Sequence, residues 1–358
     1  AQSSTLEKPR LVLQITVDQM RGDFPMRYKD RLGEGGFRYL MEKGTHYINA
    51  HFQHANTETA IGHAALFTGT YPAHHGIVAG NWFDEDKGRV IYSCEDDRYP
   101  MIGKEPAKGE GRAPSNLLSS TIGDEMVISN NGQSRMFSVS IKDRGAILPG
   151  GHTGKAFWYS NSDGSFTSST YYYPEHPGWV KQWNAKKLAD KYKDTSWELL
   201  HDVSTYVFGK DDDRPFEIDL FGLGTTFPHP VKGDSEYFYA SLTATPFGDE
   251  LTADFAKTLI KEEKLGLGEN TDFMAISFSV TDYIGHVFGP SSLEAEDNVL
   301  RVACLLADLF RFIDEQVGLD QTLIIVSADH GMCEAPEHLR NLGFDVGRLT
   351  SETIVKGT

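Results

Sequence analysis

Cysteine is scarce in this chain. The 358 residues contain three, Cys94, Cys304 and Cys333. An odd number without CxxC spacing indicates neither a disulfide framework nor a thiolate zinc site. We therefore predict that the three cysteines are small buried hydrophobic residues.

Long apolar runs and basic clusters are also lacking. No run reaches the roughly 18 to 20 residues that span a bilayer, so no membrane span is predicted. The net charge of −17 argues against a partner that is nucleic acid or an anionic membrane, beyond nucleotides as substrates. The start AQSSTLEKPRL resembles a mature chain after removal of a secretory signal, so we expect a periplasmic or secreted protein.

Four short apolar runs rich in β-branched residues predict the strands of the fold. Near-continuous runs of this length are typical of strands buried on both faces of a parallel sheet. A helical pattern follows Ser292, with apolar residues three to four apart on one face. The sequence therefore predicts a doubly wound α/β fold. The four strand-like runs are LVLQITV (11–17), MFSVSI (136–141), FMAISFSV (273–280) and TLIIVSA (322–328).

The composition changes in the middle of the chain. From about Gly151 to Gly248 the sequence is rich in aromatic residues, Gly and Ser, and Asp163-Gly164 lies between two strand-like runs, as in a hairpin. We interpret 151–248 as an inserted cap, with 1–150 and 249–358 as the two parts of the core.

Each predicted strand ends at a polar cluster. In open α/β sheets, ligands bind outside the carboxyl ends of the strands, so these clusters should converge. Taken singly, such an Asp could be a helix N-cap and such a His a hydrogen-bonded structural residue. Together, three carboxylates and two imidazoles require a cation, and this ligand set suits zinc. The cluster residues are Asp18, Lys142 with Arg144, Asp282 with His286, and Asp329 with His330.

The spacing of these residues predicts two ions and phosphoryl chemistry. Two pairs, Asp282 with His286 and Asp329 with His330, would serve ions about 4 Å apart, the clamp used for in-line phosphoryl displacement. Lys142 and Arg144, expected on extended backbone with both side chains on one side, would neutralise a dianionic phosphate. Alone, such a pair would more simply be an exposed strand end.

Thr59 precedes an Ala-rich segment, AIGHAALFTGT, that predicts a short helix. Its hydroxyl would then lie at a helix N-terminus, where negative charge is favoured and a metal could generate an alkoxide nucleophile. Alternatively, Thr59 merely caps the helix.

At these residues the sequence resembles the alkaline phosphatase superfamily, and within it the bacterial threonine-nucleophile alkaline phosphatases close to the nucleotide pyrophosphatase/phosphodiesterase family. The resemblance covers nearly the whole chain and implies a three-layer α/β/α core. It rests on the segments TVDQMRGD, TETAIGHAALFTGTYPAHHGI, SIKDRGAILPGGHTGKAFWY, TATPFGDELTADFAK, TDYIGHVFGPSSLEAEDN and SADHG.

The resemblance implies a role for each cluster residue. Thr59 would be the nucleophile that becomes phosphorylated, and Lys142 and Arg144 would bind the phosphate oxygens, the feature that accompanies monoester substrates. His63 and His75 would be structural. Two Zn²⁺ are implied: one held by Asp18, Asp329, His330 and a bridging Thr59, the other by Asp282 and His286.

Two departures from the family pattern matter. The phosphate-contacting Asn is expected where Gly80 stands, and Asn81 follows one position later, so Asn81 serves or the contact is missing. Relatives also supply a third ligand to the Asp282/His286 zinc from a downstream His. The chain stops at Thr358, so we expect that its C-terminal end is absent, and His338 is expected on an exposed helix.

The leading hypothesis is zinc-dependent hydrolysis of small phosphate monoesters through a phospho-threonine. One alternative is a phosphodiesterase or nucleotide pyrophosphatase on the same two-zinc site, with the aromatic cap stacking on a base. Another is a non-catalytic binding protein. An adhesion role for the RGD at 21–23 would need access to a segment that follows a buried strand. No oligomeric state is predicted.

Overall fold

A computed structural model describes residues 8–349 of the chain. The expectations about export and about a missing C-terminal end rest largely on 1–7 and 350–358, which lie outside the described residues. Within 8–349, no helix combines the length and apolar character needed to cross a membrane.

Strands and helices alternate along the described chain. The first half contains β1 (Leu11–Val17), α1 (Phe24–Arg27), α2 (Gly36–Lys43), α3 (Thr59–Thr68), α4 (Pro72–His75), β2 (Asn81–Asp84), β3 (Arg89–Tyr92), α5 (Ile122–Ser129), β4 (Met136–Ser140), α6 (Asp143–Gly150), β5 (Lys155–Tyr159) and β6 (Phe166–Thr167). The second half contains α7 (Gly178–Ala185), β7 (Thr195–Trp197), β8 (His229–Val231), α8 (Phe238–Ser241), α9 (Pro246–Glu262), β9 (Asp272–Phe278), α10 (Val280–Phe288), α11 (Leu293–Gln316), β10 (Thr322–Ser327) and α12 (Pro336–Asn341).

The main sheet has the strand order β10-β1-β9-β4-β5-β6. All pairs are parallel except β5 with β6. The four predicted strands are confirmed as β1, β4, β9 and β10, and the predicted doubly wound fold is confirmed with them. Because neighbouring strands are parallel, their carboxyl ends meet at one edge of the sheet.

Helices cover both faces of the sheet, which gives the predicted three layers. On one face, Leu13 and Ile276 pack in a core shared with α9, α10 and α11. On the other face, Phe273 packs against Phe67 of α3, and α5 and α6 lie on that side too. The predicted long helix is confirmed as α11, and its Leu306 is fully buried.

Strand β10 differs from the expectation of burial on both faces. Leu323 is 50% exposed and Ile325 39% exposed, whereas every residue of β1, β4 and β9 is buried. The reason is position, because β10 is an edge strand with β1 as its only partner among the described residues. The exposure of β10 depends on strand order in the sheet, which a run of apolar residues does not reveal.

The cysteine expectation is wrong for two of the three residues. Cys94 is buried, but Cys304 and Cys333 are exposed. Cys304 lies on α11, off the row formed by Val302 and Leu306, and Cys333 lies in the loop before α12.

The predicted cap contains a hairpin that belongs to the main sheet. The chain turns between β5 and β6 at Gly164, which has a φ of 72°. Several aromatic residues of this region form a closed core, in which Phe166 stacks on Phe255 of α9 at 4.3 Å. The division of the chain at 151 and 248 stays a prediction.

Candidate active site

The carboxyl ends of β1, β9, β4 and β10 bring the predicted polar residues together. Asp18 follows β1 and donates its backbone N–H to Phe278 at the end of β9. The side chains that meet here, which we call the polar edge, are Asp18, Thr59, Lys142, Asp282, Asp329 and His330, and all of them are buried.

Thr59 is the first residue of α3, as the Ala-rich segment predicts. The N-cap is Glu58, whose side chain makes no capping hydrogen bond, so a simple capping role for Thr59 is excluded. The Thr59 hydroxyl lies 3.5 Å from Oδ1 of Asp18. A nucleophile at this position also faces the positive end of the helix dipole.

Lys142 occupies the centre of the polar edge. Its Nζ lies 3.1 Å from Oγ1 of Thr59, 2.8 Å from Oδ2 of Asp18 and 2.5 Å from Oδ2 of Asp282. Burial lowers the pKa of Lys142, but the charges of Asp18 and Asp282 outweigh it and raise the pKa above its ordinary value. Lys142 is therefore an ammonium ion that links the Thr59 hydroxyl to two carboxylates.

Asp329 lies beside a histidine of α3. Nδ1 of His63 lies 3.0 Å from Oδ2 of Asp329 and 2.9 Å from the Thr59 carbonyl. The other ring nitrogen of His63, Nε2, lies 2.8 Å from the Ser277 hydroxyl. Burial would raise the pKa of Asp329, but His63 and then His330 lower it to about 2. A Cβ at Gly62 would lie 2.0 Å from the Asp329 carbonyl oxygen, so this close approach requires glycine.

His330 turns one ring nitrogen toward the carboxylates. Its Nδ1 lies 2.9 Å from the Gly331 carbonyl, which can only accept, so Nδ1 carries a proton. Its Nε2 lies 3.4 Å from Asp18 and 3.6 Å from Asp282. Burial lowers the pKa of His330, but Asp18 and Asp329 outweigh it and raise the pKa to about 9.

The donor set of the polar edge fits a metal ion. Asp18, Asp282 and His330 each offer a ligand atom within 4.8 Å of the others. Two carboxylate oxygens and one imidazole nitrogen are suitable zinc ligands. This close group mixes the two ligand sets expected from the sequence, because Asp282 was expected at the other ion.

His286 lies at the rim of the site. It is four residues after Asp282 on α10, its Nε2 is 3.4 Å from Asp282 Oδ1, and its side chain is 64% exposed. His338, the other histidine considered, is half-buried on α12 and contacts Arg214 at 3.3 Å.

Gln19 is a site residue that the sequence did not indicate. Its backbone N–H donates to Asp329 Oδ1 at 3.0 Å and its side-chain amide donates to Asp282 Oδ1 at 2.8 Å. The same nitrogen lies 3.0 Å from Nε2 of His286. Gln19 has a φ of 64°, so a left-handed turn directly after β1 makes these contacts possible.

Only Lys142 of the pair is on extended backbone, as the N-cap of α6. Arg144 lies in the first turn of that helix, which corrects the expectation that both residues are extended. The carboxylate of Asp143, which lies between them, accepts hydrogen bonds from Arg112 at 2.7 Å and from the Tyr92 hydroxyl at 2.5 Å. Burial lowers the pKa of Arg144, but nearby Tyr92 and Asp143 raise it overall, so its charge is retained.

Asn81 is exposed at the start of β2. The preceding residue, Gly80, donates its N–H at 2.8 Å to the carboxylate of Glu58, which adjoins Thr59. The hairpin of β2 and β3 is thereby fixed beside Thr59. Within 8–349, no hydrogen bond links the Asn81 side chain to the polar edge.

A cleft of about 370 Å³ opens beside Lys142 and Arg144. Its walls include Trp158, Tyr159 and Tyr283, and its lining carries both Lys104 and Glu110. The cleft could hold the organic part of a substrate whose charged group lies on the two basic residues.

His75 is buried and does not belong to the polar edge. Its Nδ1 accepts the Ile77 N–H at 3.2 Å. Burial, with a smaller effect of His54, lowers the pKa of His75 to about 4, so this ring is neutral at neutral pH.

Two curated relatives that are similar to this chain are named as alkaline phosphatases. Alkaline phosphatase PhoV of Synechococcus elongatus is 42% identical over 339 residues, which cover 94% of this chain and 62% of that protein. Alkaline phosphatase PafA of Elizabethkingia meningoseptica is 36% identical over 362 residues, covering 99% of this chain and 66% of that protein. A crystal structure of wild-type PafA superimposes with a TM-score of 0.89 at 35% identity, covering 97% of this chain and 67% of the other.

The chain thus spans slightly less than two thirds of the curated relatives that it matches. Residues 12–349 match the sequence profile of the family described as type I phosphodiesterase / nucleotide pyrophosphatase. The chain therefore belongs to the type I phosphodiesterase / nucleotide pyrophosphatase family.

Proposed function

We propose that this chain carries the catalytic core of a zinc-dependent alkaline phosphatase that hydrolyses phosphate monoesters through a phospho-threonine. The observation that carries the proposal is the position of Lys142, whose Nζ contacts both the Thr59 hydroxyl and the carboxylates of Asp18 and Asp282. The proposed nucleophile, a cation and the proposed metal-binding carboxylates are thus in contact in one buried place. The alkaline phosphatase relatives support the same activity.

Thr59 is the proposed nucleophile. Its hydroxyl can donate to Asp18, and Lys142 donates to its oxygen, which stabilises the alkoxide that attacks phosphorus. The transferred phosphoryl group then forms a bond to Thr59 Oγ1 as the alcohol leaves. Water attack on the phospho-threonine restores the hydroxyl and releases phosphate.

Lys142 and Arg144 are the proposed clamp for the non-bridging oxygens, Lys142 as a point charge and Arg144 as a bidentate donor. A solved PafA variant has a Thr, an Asn, a Lys and an Arg substituted. The Thr, Lys and Arg of that protein have the same spacing as Thr59, Lys142 and Arg144. Its Asn lies one position closer to the Thr than Asn81 lies to Thr59, so we propose Asn81 as a further donor to phosphate.

The proposed zinc ligands are Asp18, Asp282, Asp329, His286 and His330, with Thr59 as a shared ligand. When bound, two zinc ions would supply Lewis acidity that lowers the pKa of the nucleophile and stabilises the leaving oxygen. The chain's own residues prepare this set: His63 orients Asp329, and Gln19 holds Asp282. Such supporting contacts fix the ligand geometry.

A phosphodiesterase or nucleotide pyrophosphatase is the alternative function, and the family name includes it. A diester carries one negative charge fewer, so the two cations Lys142 and Arg144 favour a monoester dianion. The aromatic residues of the predicted cap also serve packing, because Phe166, Trp183 and Trp197 are almost fully buried. Export to the periplasm or the medium stays a prediction, and a cytosolic pool found by cell fractionation would contradict it.

The experiment is the ratio of kcat/KM for p-nitrophenyl phosphate and its methyl diester, with excess zinc. We expect the monoester to be preferred and Lys142→Met to reduce that preference at least tenfold. Lys155→Met is the matched control, because Lys155 is half-buried on β5 and donates to the Tyr172 carbonyl at 2.6 Å. A diester preference, or an equal ratio in wild type and Lys142→Met, would contradict the proposal.

A further inference from the structure

The guanidinium of Arg144 has few partners in the protein. Within residues 8–349, its only hydrogen bond runs from Nη1 to the Tyr92 hydroxyl at 3.5 Å. An arginine side chain is long and loses conformational entropy when it is fixed in one orientation. The groups that hold Tyr92 therefore determine how the Arg144 guanidinium is oriented.

The Tyr92 hydroxyl presents an acceptor to Arg144, because its own proton is used elsewhere. Tyr92 donates that proton to Oδ1 of Asp143 at 2.5 Å, which leaves lone pairs on the phenol oxygen for the Arg144 N–H. Burial and then the charge of Asp143 raise the pKa of Tyr92 well above its ordinary value, so the phenol keeps its proton.

The carboxylate of Asp143 is fixed by donors on both of its oxygens. Besides the Tyr92 hydroxyl, Oδ1 accepts the backbone N–H of Arg144 at 2.7 Å. Oδ2 accepts a hydrogen bond from Nε of Arg112 at 2.7 Å. Three donors therefore hold this carboxylate at the start of α6, directly before Arg144.

Arg112 joins this group from the loop between β3 and α5. Its Nη1 donates to the carbonyls of Gly109 and Gly111 at 2.8 Å and 2.9 Å. Its Cζ lies 4.8 Å from the centroid of the Tyr92 ring, which is within the range of a cation–π contact. Arg112 thus contacts both the carboxylate of Asp143 and the ring of Tyr92.

The two arginines differ in the charge of their partners, although both line the cleft beside Lys142. Arg112 forms an ion pair with Asp143, so a nearby carboxylate balances its charge. Arg144 forms no ion pair with another side chain of the described residues, and its acceptor is a neutral phenol. A neutral acceptor orients a guanidinium without competing as an anion for it.

We propose that Tyr92 is a positioning residue that orients the Arg144 guanidinium toward the phosphate oxygens, and that Asp143 and Arg112 fix Tyr92 for this role. The inference rests on the proposed function, in which Arg144 binds phosphate. Nη1 of Arg144 is directed by Tyr92, and the other N–H groups of the guanidinium make no hydrogen bond within 8–349. These groups are available for a bidentate contact with phosphate.

The test measures the affinity of the zinc-loaded full chain for inorganic phosphate by calorimetric titration, which requires no turnover. We expect Tyr92→Phe, which keeps the ring and loses only the hydroxyl, to weaken phosphate binding by about 3- to 10-fold. Arg144→Met should weaken it by about 10-fold or more. The double variant should bind phosphate as Arg144→Met does, because Tyr92 acts through Arg144.

Tyr171→Phe is the matched control. The half-buried Tyr171 donates its hydroxyl to the His152 carbonyl at 2.9 Å, and its loss should leave phosphate affinity equal to that of wild type. Arg112→Met should weaken phosphate binding in the wild-type background but not in the Arg144→Met background.

The outcomes separate this proposal from the proposed function. Unchanged phosphate affinity in Tyr92→Phe, beside a weakened Arg144→Met, would overturn the positioning role and leave the clamp in place. Additive losses in the double variant would also overturn it, because a general loss of packing adds to the effect of Arg144→Met. Unchanged affinity in Arg144→Met would overturn both the clamp and the positioning role.

Discussion

The polar edge and the first turn of α11 both bury three carboxylates, but the partners of these carboxylates differ. The three residues in α11, which we call the α11 anchor, are Glu294, Glu296 and Asp297. In the anchor, Glu296 and Asp297 each pair with an arginine and also accept hydrogen bonds from backbone N–H groups and aromatic side chains. At the polar edge, Asp18 and Asp282 share one lysine, Lys142. The two regions therefore bury the same chemical groups, carboxylates, but surround them with different partners.

The difference shows which property identifies a reactive site. A carboxylate whose lone pairs are occupied by the backbone cannot exchange them without unfolding. A carboxylate that faces a lysine side chain can exchange that partner for a metal or a substrate, because the side chain can move. Burial and charge alone would not have separated these two clusters.

The largest expected effect removes the proposed nucleophile. We predict that Thr59→Ala lowers kcat for p-nitrophenyl phosphate by about 10⁴-fold or more, because it removes the hydroxyl that we propose to form the covalent intermediate. Steady-state kinetics with excess zinc measures this. Thr68→Ala is the matched control at the other end of α3, where the hydroxyl bonds to the Ala64 carbonyl at 2.7 Å. Substantial phosphatase activity in Thr59→Ala would refute the assignment.

The second prediction concerns the shared cation. Lys142→Met should cost the metal-free protein about 3 to 5 kcal/mol, because it leaves buried carboxylates unpaired. Zinc should restore most of this loss. Chemical denaturation with EDTA and with zinc measures the difference. Arg144→Met should show no such dependence on zinc, since the Arg144 side chain bonds to the Tyr92 hydroxyl at 3.5 Å and pairs with no polar-edge carboxylate within 8–349. An equal loss for Lys142→Met in both conditions would contradict the comparison.

A smaller effect is expected from crowding the polar edge. Gly62→Ala should destabilise the protein by about 1 to 3 kcal/mol, because its Cβ would collide with Asp329. In the absence of a collision, alanine would stabilise a helix by about 1 kcal/mol relative to glycine. The sign of the change in unfolding free energy therefore shows whether the collision occurs. Thermal unfolding compares Gly62→Ala with Gly178→Ala, whose Cβ would meet nothing within 4 Å. A stabilised Gly62→Ala would show that α3 and Asp329 are less closely packed.

The smallest effect is predicted in the α11 anchor. Tyr206→Phe removes one donor to Asp297 and should cost about 1 to 2 kcal/mol in stability, because other donors remain. Its kcat/KM should equal that of wild type. Tyr237→Phe, at a half-exposed ring, is the control. A large loss of activity without loss of stability in Tyr206→Phe would connect the anchor to catalysis.

Much of the fold was predictable because β1, β4 and β9 are continuous apolar runs and α11 has a clear helical period. The convergence of Asp18, Asp282 and Asp329 also followed, since the carboxyl ends of parallel strands meet at one edge. The exposed face of β10 was not predictable, because strand order in the sheet depends on tertiary packing.

Parts of the site also required the structure. The contacts of Gln19 depend on a left-handed backbone conformation that a glutamine rarely adopts. The segment TVDQM therefore does not indicate them. The placement of Arg144 in a helix depends on α6 beginning at Asp143, immediately after Lys142. The backbone N–H groups and aromatic side chains that donate to Glu296 and Asp297 come from residues about 90 to 100 positions earlier in the chain.

Calorimetric titration of zinc into metal-stripped protein tests the central claim most directly. If the partner of the polar-edge carboxylates is exchangeable, wild type and Tyr206→Phe should bind zinc with equal affinity, and Asp282→Asn should bind it at least tenfold more weakly. Unchanged zinc affinity in Asp282→Asn, or weakened affinity in Tyr206→Phe, would contradict the account.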